Sequence, residues 1–371
     1  MVARIQGRLA QARRPFSLVA WTPRRVCLKR PRSGLWGVSF PLTPALSLGE
    51  REIGRQPTNH HAKYHLSSFP AGSLGATAVR MKSIFWLSSA AFLAIVVCSA
   101  VAASAADAGT GRSFKGPVGL QLYSLRDQFP KNVMGTLDEV KSWGIKYAEV
   151  AGTYGLPAEE FTKQLAARGI QPIGAHFDYN RYKTDPEGVA REAKSLGLKY
   201  AGVAWIPHEG DFDEKECREA AAVFNKAGEV MAKHGLKFFY HCHGYEFQPH
   251  GQGTLFDLLM QETDPKLVSN EMDIFWVVFP NQDPVKLFQK YGSRWELAHL
   301  KDMKKGTVRG ALTGSTDVKN DVALGDGLID LPAILKAAKA AGVKYYFIED
   351  ESPWSEQQIP RSLRYLEQVK F

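Results

Sequence analysis

The sequence predicts a single α/β domain, a (β/α)8 barrel over residues 106–371, and three observations carry that prediction. Eight short runs rich in β-branched and aromatic residues alternate with amphipathic stretches of helical length, the pattern of parallel βαβ units. Four joints share one form, Gly-X-Lys-aromatic, at 144–147, 197–200, 235–238 and 342–345. Third, acidic and imidazole side chains gather at the C-terminal ends of the runs, where a barrel of this kind carries its chemistry.

The eight runs are 118–124, 147–152, 172–177, 200–205, 238–243, 268–276, 296–301 and 345–351. Most read as apolar on both faces, as strands do when helices cover the sheet. The clearest helical stretches are 133–143, 158–167, 186–196, 215–234 and 331–341. At each repeated joint the glycine supplies the left-handed residue that stops a helix, and the aromatic opens the next strand. No GxGxxG or Walker A sequence follows the first run, which argues against a nucleotide-binding doubly wound sheet.

The segment before the barrel reads differently. Residues 1–80 hold 13 Lys and Arg against 2 Asp and Glu, with no sustained hydrophobic period, and are expected to be unstructured or a mis-called extension. Met81 and Lys82 then open an apolar stretch ending in Ala103, Ser104 and Ala105, the layout of a secretory signal peptide over 81–105. The expectation is export to the periplasm or beyond, without stable membrane insertion once the signal is removed. The leader also accounts for the whole charge of +9, because 81–371 carries 34 basic and 36 acidic residues, a net of −2. That balance gives no reason to expect a nucleic acid partner. Cys217 and Cys242 are the cysteines left in the barrel, and neither CxxC nor a structural zinc spacing occurs.

The strand ends carry Glu149 (second), His176 (third), His241 and His243 (fifth), Glu271 and Asp273 (sixth), His299 and Lys301 (seventh), and Glu349 and Glu351 (eighth). Residues i and i+2 share a strand face, so each of the last four strands aims two polar groups into the mouth. Unpaired charges there would be costly, and a divalent cation would compensate them. One histidine at a strand end is ordinarily a hydrogen-bonded structural residue. Six of them (His176, His208, His241, His243, His250 and His299) fall on strand ends or the loops that follow. Glu271 has a plainer reading as a partner of His241 or Lys301, and Asp302 and Asp350 read as outward structural residues. Trp205, Trp276 and Trp354 lie near strand ends and read as core packing or as an apolar wall for a sugar ring.

Six segments, 119–126, 240–247, 272–276, 299–302, 324–330 and 347–349, together resemble the sugar phosphate isomerase/epimerase superfamily, the xylose isomerase-like TIM barrels. The resemblance implies one divalent ion, Mn, Mg, Co or Zn, held by a Glu, Asp, His, Glu set on strands five to eight. Asp273, His299 and Glu349 match the last three positions. Strand five departs from the pattern, with His241 the best fit and His243 or Glu246 the alternatives. A mixed oxygen and imidazole shell suits those metals. The implied reaction is isomerisation or epimerisation of a small carbohydrate through an enediolate, with Glu149, His176, His243, Glu246, Lys301 and Glu349 as the candidate catalytic residues. The alternatives are a metal-dependent lyase or hydrolase of 3-keto-glycosides and a sugar-binding barrel without activity. A homo-oligomer is compatible with such barrels.

Overall fold

A computed structural model describes residues 107–371; the expectations for 1–80 and 81–105 lie outside them. Eight parallel strands close into a barrel: β1 (Val118–Gln121), β2 (Tyr147–Val150), β3 (Gln171–His176), β4 (Tyr200–Val203), β5 (Lys237–His241), β6 (Val268–Asp273), β7 (Trp295–Leu300) and β8 (Tyr345–Ile348). Each strand pairs with its sequence neighbours and β8 returns to β1, with Gly119 opposite Phe347. The helices are α1 (Val133–Ser142), α2 (Ala158–Ala167), α3 (Tyr179–Thr184), α4 (Pro186–Ser195), α5 (Glu214–Lys233), α6 (Leu255–Glu262), α7 (Ile274–Val278), α8 (Pro284–Tyr291), α9 (Leu331–Ala341) and α10 (Ser355–Gln368). None of the described helices is long and apolar enough to cross a membrane.

Local signals set the helix boundaries. Asp213 and Glu216 form a reciprocal capping box at the start of α5, and Asp185 with Pro186 opens α4. The glycines of the repeated joint, Gly144, Gly197, Gly235 and Gly342, all have φ between 70° and 89°. An L side chain rarely adopts that conformation, so the repeat has a backbone cause.

All eight strands end one to three residues before the runs the sequence suggests, and three of these ends bear on the site. β1 stops at Gln121, whose side chain accepts from the Tyr123 amide and starts a 3-10 turn over Leu122–Leu125. β6 stops at Asp273, which caps α7 by accepting from the amides of Phe275 and Trp276. β5 stops at His241, which leaves Cys242 and His243 in the following loop. Cys217 and Cys242 are both buried and unbonded.

Inside the barrel, Ile173, Tyr200, Phe239, Leu297 and Phe347 pack into an apolar plug. Gly119 and Gly202 make room for it. A Cβ on Gly202 would stand 2.5 Å from the Phe239 ring, and one on Gly119 would stand 2.7 Å from Phe347. The next inward-facing residues toward the C-terminal end of the strands are polar, and they form the site.

Candidate metal centre

Each site residue comes from a strand end. Glu149 is on β2, His176 on β3, His241 on β5, Glu271 and Asp273 on β6, His299 on β7, and Glu349 immediately after β8. The alternation of β6 aims Glu271 and Asp273 the same way, one step apart in depth. All except His176 and Glu349 are buried to 2% exposure or less.

Two imidazoles organise the group. His299 Nε2 lies 2.5 Å from Glu149 Oε2, and its Nδ1 lies 3.2 Å from Glu349 Oε2 and 3.9 Å from Asp273 Oδ2. His241 Nδ1 lies 3.0 Å from Glu271 Oε2, and its Nε2 lies 3.9 Å from Asp273 Oδ2. Because an ionised carboxylate only accepts, each ring donates its far N–H to a glutamate and turns its other nitrogen toward Asp273. His176 Nε2 sits between the two glutamates, 3.0 Å from Glu271 Oε2 and 3.5 Å from Glu149 Oε1. Gln121 fastens Glu149 from the β1 side, donating to Oε2 at 2.6 Å.

The electrostatics follow from burial and crowding. Burial pushes Glu271 up to about 7 and Asp273 up to about 6. Burial opposes protonation of His299, but Glu271, Glu349 and Glu149 together hold it well above the ordinary imidazole range. Burial pulls His241 well below that range, and the neighbouring His299 and His243 add to the effect. Lys301 stays charged despite burial, because Asp321, Glu351 and Glu349 surround it at 3.5, 2.5 and 3.4 Å. Burial alone would raise Glu349; Lys301 and His299 outweigh it and bring its carboxyl below the usual range.

These residues fit a divalent cation. Asp273 spends Oδ1 on the α7 amides, while its buried Oδ2 has no hydrogen-bond partner. Ligand atoms of Asp273, His299 and Glu349 lie within 4.8 Å of one another, and so do those of His176, His241, Glu271 and His299. The carboxylate field that raises His299 favours any positive charge at Nδ1, whether a proton or a metal. Nitrogen and oxygen donors without thiolate match Mn, Mg, Co or Zn.

The model of the xylose isomerase-like TIM barrel family matches residues 137–369. The chain belongs to that family. An inosose dehydratase of Geobacillus thermodenitrificans is 30% identical over 239 residues, covering 57% of this chain and 79% of the relative. Among solved structures, a sugar phosphate isomerase/epimerase from Parabacteroides distasonis superposes with a TM-score of 0.58 at 23% identity, covering 72% of this chain and 96% of that one. The IolI protein with a bound zinc atom superposes with a TM-score of 0.53 at 16% identity, covering 68% and 95%. At those identities the two structures speak for the fold.

In this xylose isomerase-like barrel, not every residue singled out from the sequence faces the centre. Glu246 does not. It is fully buried in a 3-10 turn, and its carboxylate accepts from the amides of His243 and Gly244 and from the Tyr240 hydroxyl. That carboxylate is a loop anchor, which corrects its candidacy as a catalytic group. His243 stands at the mouth, its ring 4.7 Å from His241 and its buried Nδ1 unpaired. His208 packs on Trp205, and His250 lies 3.8 Å from Glu214; both are outside the cluster. Lys301 pairs with Asp321, Glu349 and Glu351 and not with Asp302, whose carboxylate accepts from the amides of Gly325, Gly327 and Ile329. Glu271 pairs with His241, as its plainer reading expected, and also with His176. Sequence reading passed over Asp321, which enters from the long segment after β7 whose reach no local pattern records.

Proposed function

We propose that the chain is a metal-assisted lyase acting on a ketone of a polyhydroxylated ring, a keto-cyclitol or a keto-sugar. The reading rests on the buried grouping of Asp273 Oδ2, His299 Nδ1 and Glu349 Oε2 beside the fixed Lys301 cation. It is supported by the 30% identical relative named inosose dehydratase. Asp273, His299 and Glu349, with His241 as fourth donor, would hold the ion. When bound, a divalent cation there supplies Lewis acidity to the substrate's carbonyl and adjacent hydroxyl. Glu149 and Glu271 orient the two imidazoles, and His176 ties those glutamates together.

Lys301 lies over the rings of Phe275 and Trp276, both at 5.5 Å, and holds a positive charge at the edge of the centre. There it stabilises the negative charge that develops when the carbon next to the carbonyl loses its proton. His243, at the mouth with an unpaired buried Nδ1, takes that proton. Burial disfavours its charged form, so the ring is neutral at rest, and the Glu349 carboxylate opposes that effect and stabilises the imidazolium once it forms. The C–O bond on the next carbon breaks, its electron pair leaves with the oxygen, and a C=C bond forms. The proton from His243 then completes the departing water or alcohol.

Isomerisation or epimerisation, the activity expected from the sequence, shares the first proton transfer and differs in keeping the oxygen. The signal peptide expected over 81–105 would place the enzyme outside the cytoplasm, where free carbohydrates are the natural substrates. The test is to incubate the purified protein, with metal content measured by elemental analysis, with an inosose and with a 3-keto-glycoside. Enone absorbance with release of water or alcohol, seen by NMR, is the expected result. An isomeric sugar formed without oxygen loss overturns the lyase reading, and a protein that takes up no metal returns the sugar-binding alternative.

A further inference from the structure

Among the described residues the large exposed hydrophobic side chains are Tyr123, Trp205, Val308 and Trp354. All four lie in segments that follow a barrel strand, on the same rim as the candidate metal centre. Trp205, after β4, is joined to the centre by edge-to-face rings. From the buried His241 the ring of His243 is 4.7 Å away, Trp205 is 5.5 Å beyond His243, and His208 stacks on Trp205 at 5.0 Å and 26°. Tyr245 backs the indole edge-on at 4.8 Å. The indole itself is 43% exposed.

The loop after β7 closes against this indole at Gly314, where a Cβ would stand 2.5 Å from the indole ring and 3.1 Å from the His243 Cβ. Thr313 and Ser315 flank that glycine with hydroxyls 3.2 Å apart. His208 commits Nδ1 to the Ile206 carbonyl at 2.7 Å and leaves Nε2 free. An exposed indole with an imidazole stacked on it and hydroxyl groups beside it suits a ring with an apolar C–H face and polar rim. That is the chemistry of a pyranose.

We propose that Trp205, with His208 and the Thr313–Ser315 segment, forms an outer subsite for a second sugar ring attached to the one at the metal centre. The inference rests on the lyase reading and narrows its substrate to a glycoside of at least two rings. The ring-to-ring steps of 4.7 and 5.5 Å set Trp205 outside the centre on the rim, where a ring attached to the reacting one would emerge.

The experiment compares kcat/KM for a keto-disaccharide and for the corresponding one-ring ketone, in the parent, Trp205→Ala and Gly314→Ala. The parent is expected to favour the disaccharide, and both variants to lower that preference about tenfold, an equivalent of about 1.4 kcal/mol, through KM. Gly314→Ala keeps the indole but displaces it, so a fall in both variants ties the effect to ring position. An unchanged preference in Trp205→Ala overturns the proposal. If neither ketone is turned over, the lyase reading fails separately, and binding of an unreactive disaccharide against a monosaccharide decides the subsite by calorimetry. Tighter disaccharide binding lost in Trp205→Ala supports the subsite; equal binding of the two sugars overturns it.

Discussion

Glu149 Oε2 stands 2.5 Å from His299 Nε2, so the glutamate on β2 decides which nitrogen of the β7 histidine faces Asp273 and Glu349. The two residues are 150 positions apart, and only barrel closure makes them partners. Their pairing has a direct consequence for metal affinity. Glu149→Gln keeps the volume and removes the charge that fixes the imidazole. Metal binding measured by competition with a chelator is expected to weaken about 10–100-fold, with the barrel intact by circular dichroism. An unaltered affinity would mean that the ion lies elsewhere.

Asp273 serves a helix with one oxygen and the centre with the other, and two substitutions separate those tasks. Asp273→Asn keeps an acceptor for the Phe275 and Trp276 amides but replaces the unpaired buried Oδ2. The metal-stripped Asn variant is expected to be at least as stable as the stripped parent in urea while binding no metal. Asp273→Ala also loses the cap and should fall about 1 kcal/mol below the Asn variant.

Asp321 offers a pH signature outside the ligand set. Burial pushes its carboxyl up to about 7, with Lys301 opposing and Glu351 adding. A raised folded pKa means that the native state holds the proton where the unfolded chain has lost it. Stability therefore falls as pH rises from about 4 toward 7. Asp321→Asn removes that slope and still accepts from the Glu351 amide. Its Tm relative to the parent is expected to rise between pH 5 and pH 8, by on the order of 3–6 °C. A difference that stays flat with pH would sink the assignment.

Gly202 tests the plug beneath the site. Gly202→Ala drives a methyl to within 2.5 Å of the Phe239 ring, which the close-packed interior can relieve only by strain. Urea denaturation is expected to show a loss of about 1–3 kcal/mol, whether or not metal is present.

Much of this was legible in the sequence because barrels repeat. The Gly-X-Lys-aromatic joint recurs for a backbone reason, and the i, i+2 pairs on the last strands place Asp273, His299 and Glu349 on the inner rim, where the structure groups them. What eluded sequence reading depends on contacts across the barrel or on loop paths. Glu246 has the residue type and place of a rim carboxylate, yet Gly244, at φ 104°, turns the chain so that the glutamate folds back onto its own loop. Glu271 reads from the sequence as a partner of His241 or Lys301, and its second contact, with His176, appears only when β3 comes alongside. The strand six boundary failed for a local reason: Asp273 is both a strand end and a helix cap, and an apolar run passes through both.

The plug of Ile173, Tyr200, Phe239, Leu297 and Phe347 also governs the order of events. Among the described residues it fills the bore below the centre, so the centre is reached from the C-terminal rim. Ion, substrate, water and product share that doorway, and whatever enters last is first to leave. A bound substrate would therefore shut the ion in, and chelators should strip the metal more slowly from the occupied enzyme than from the free one.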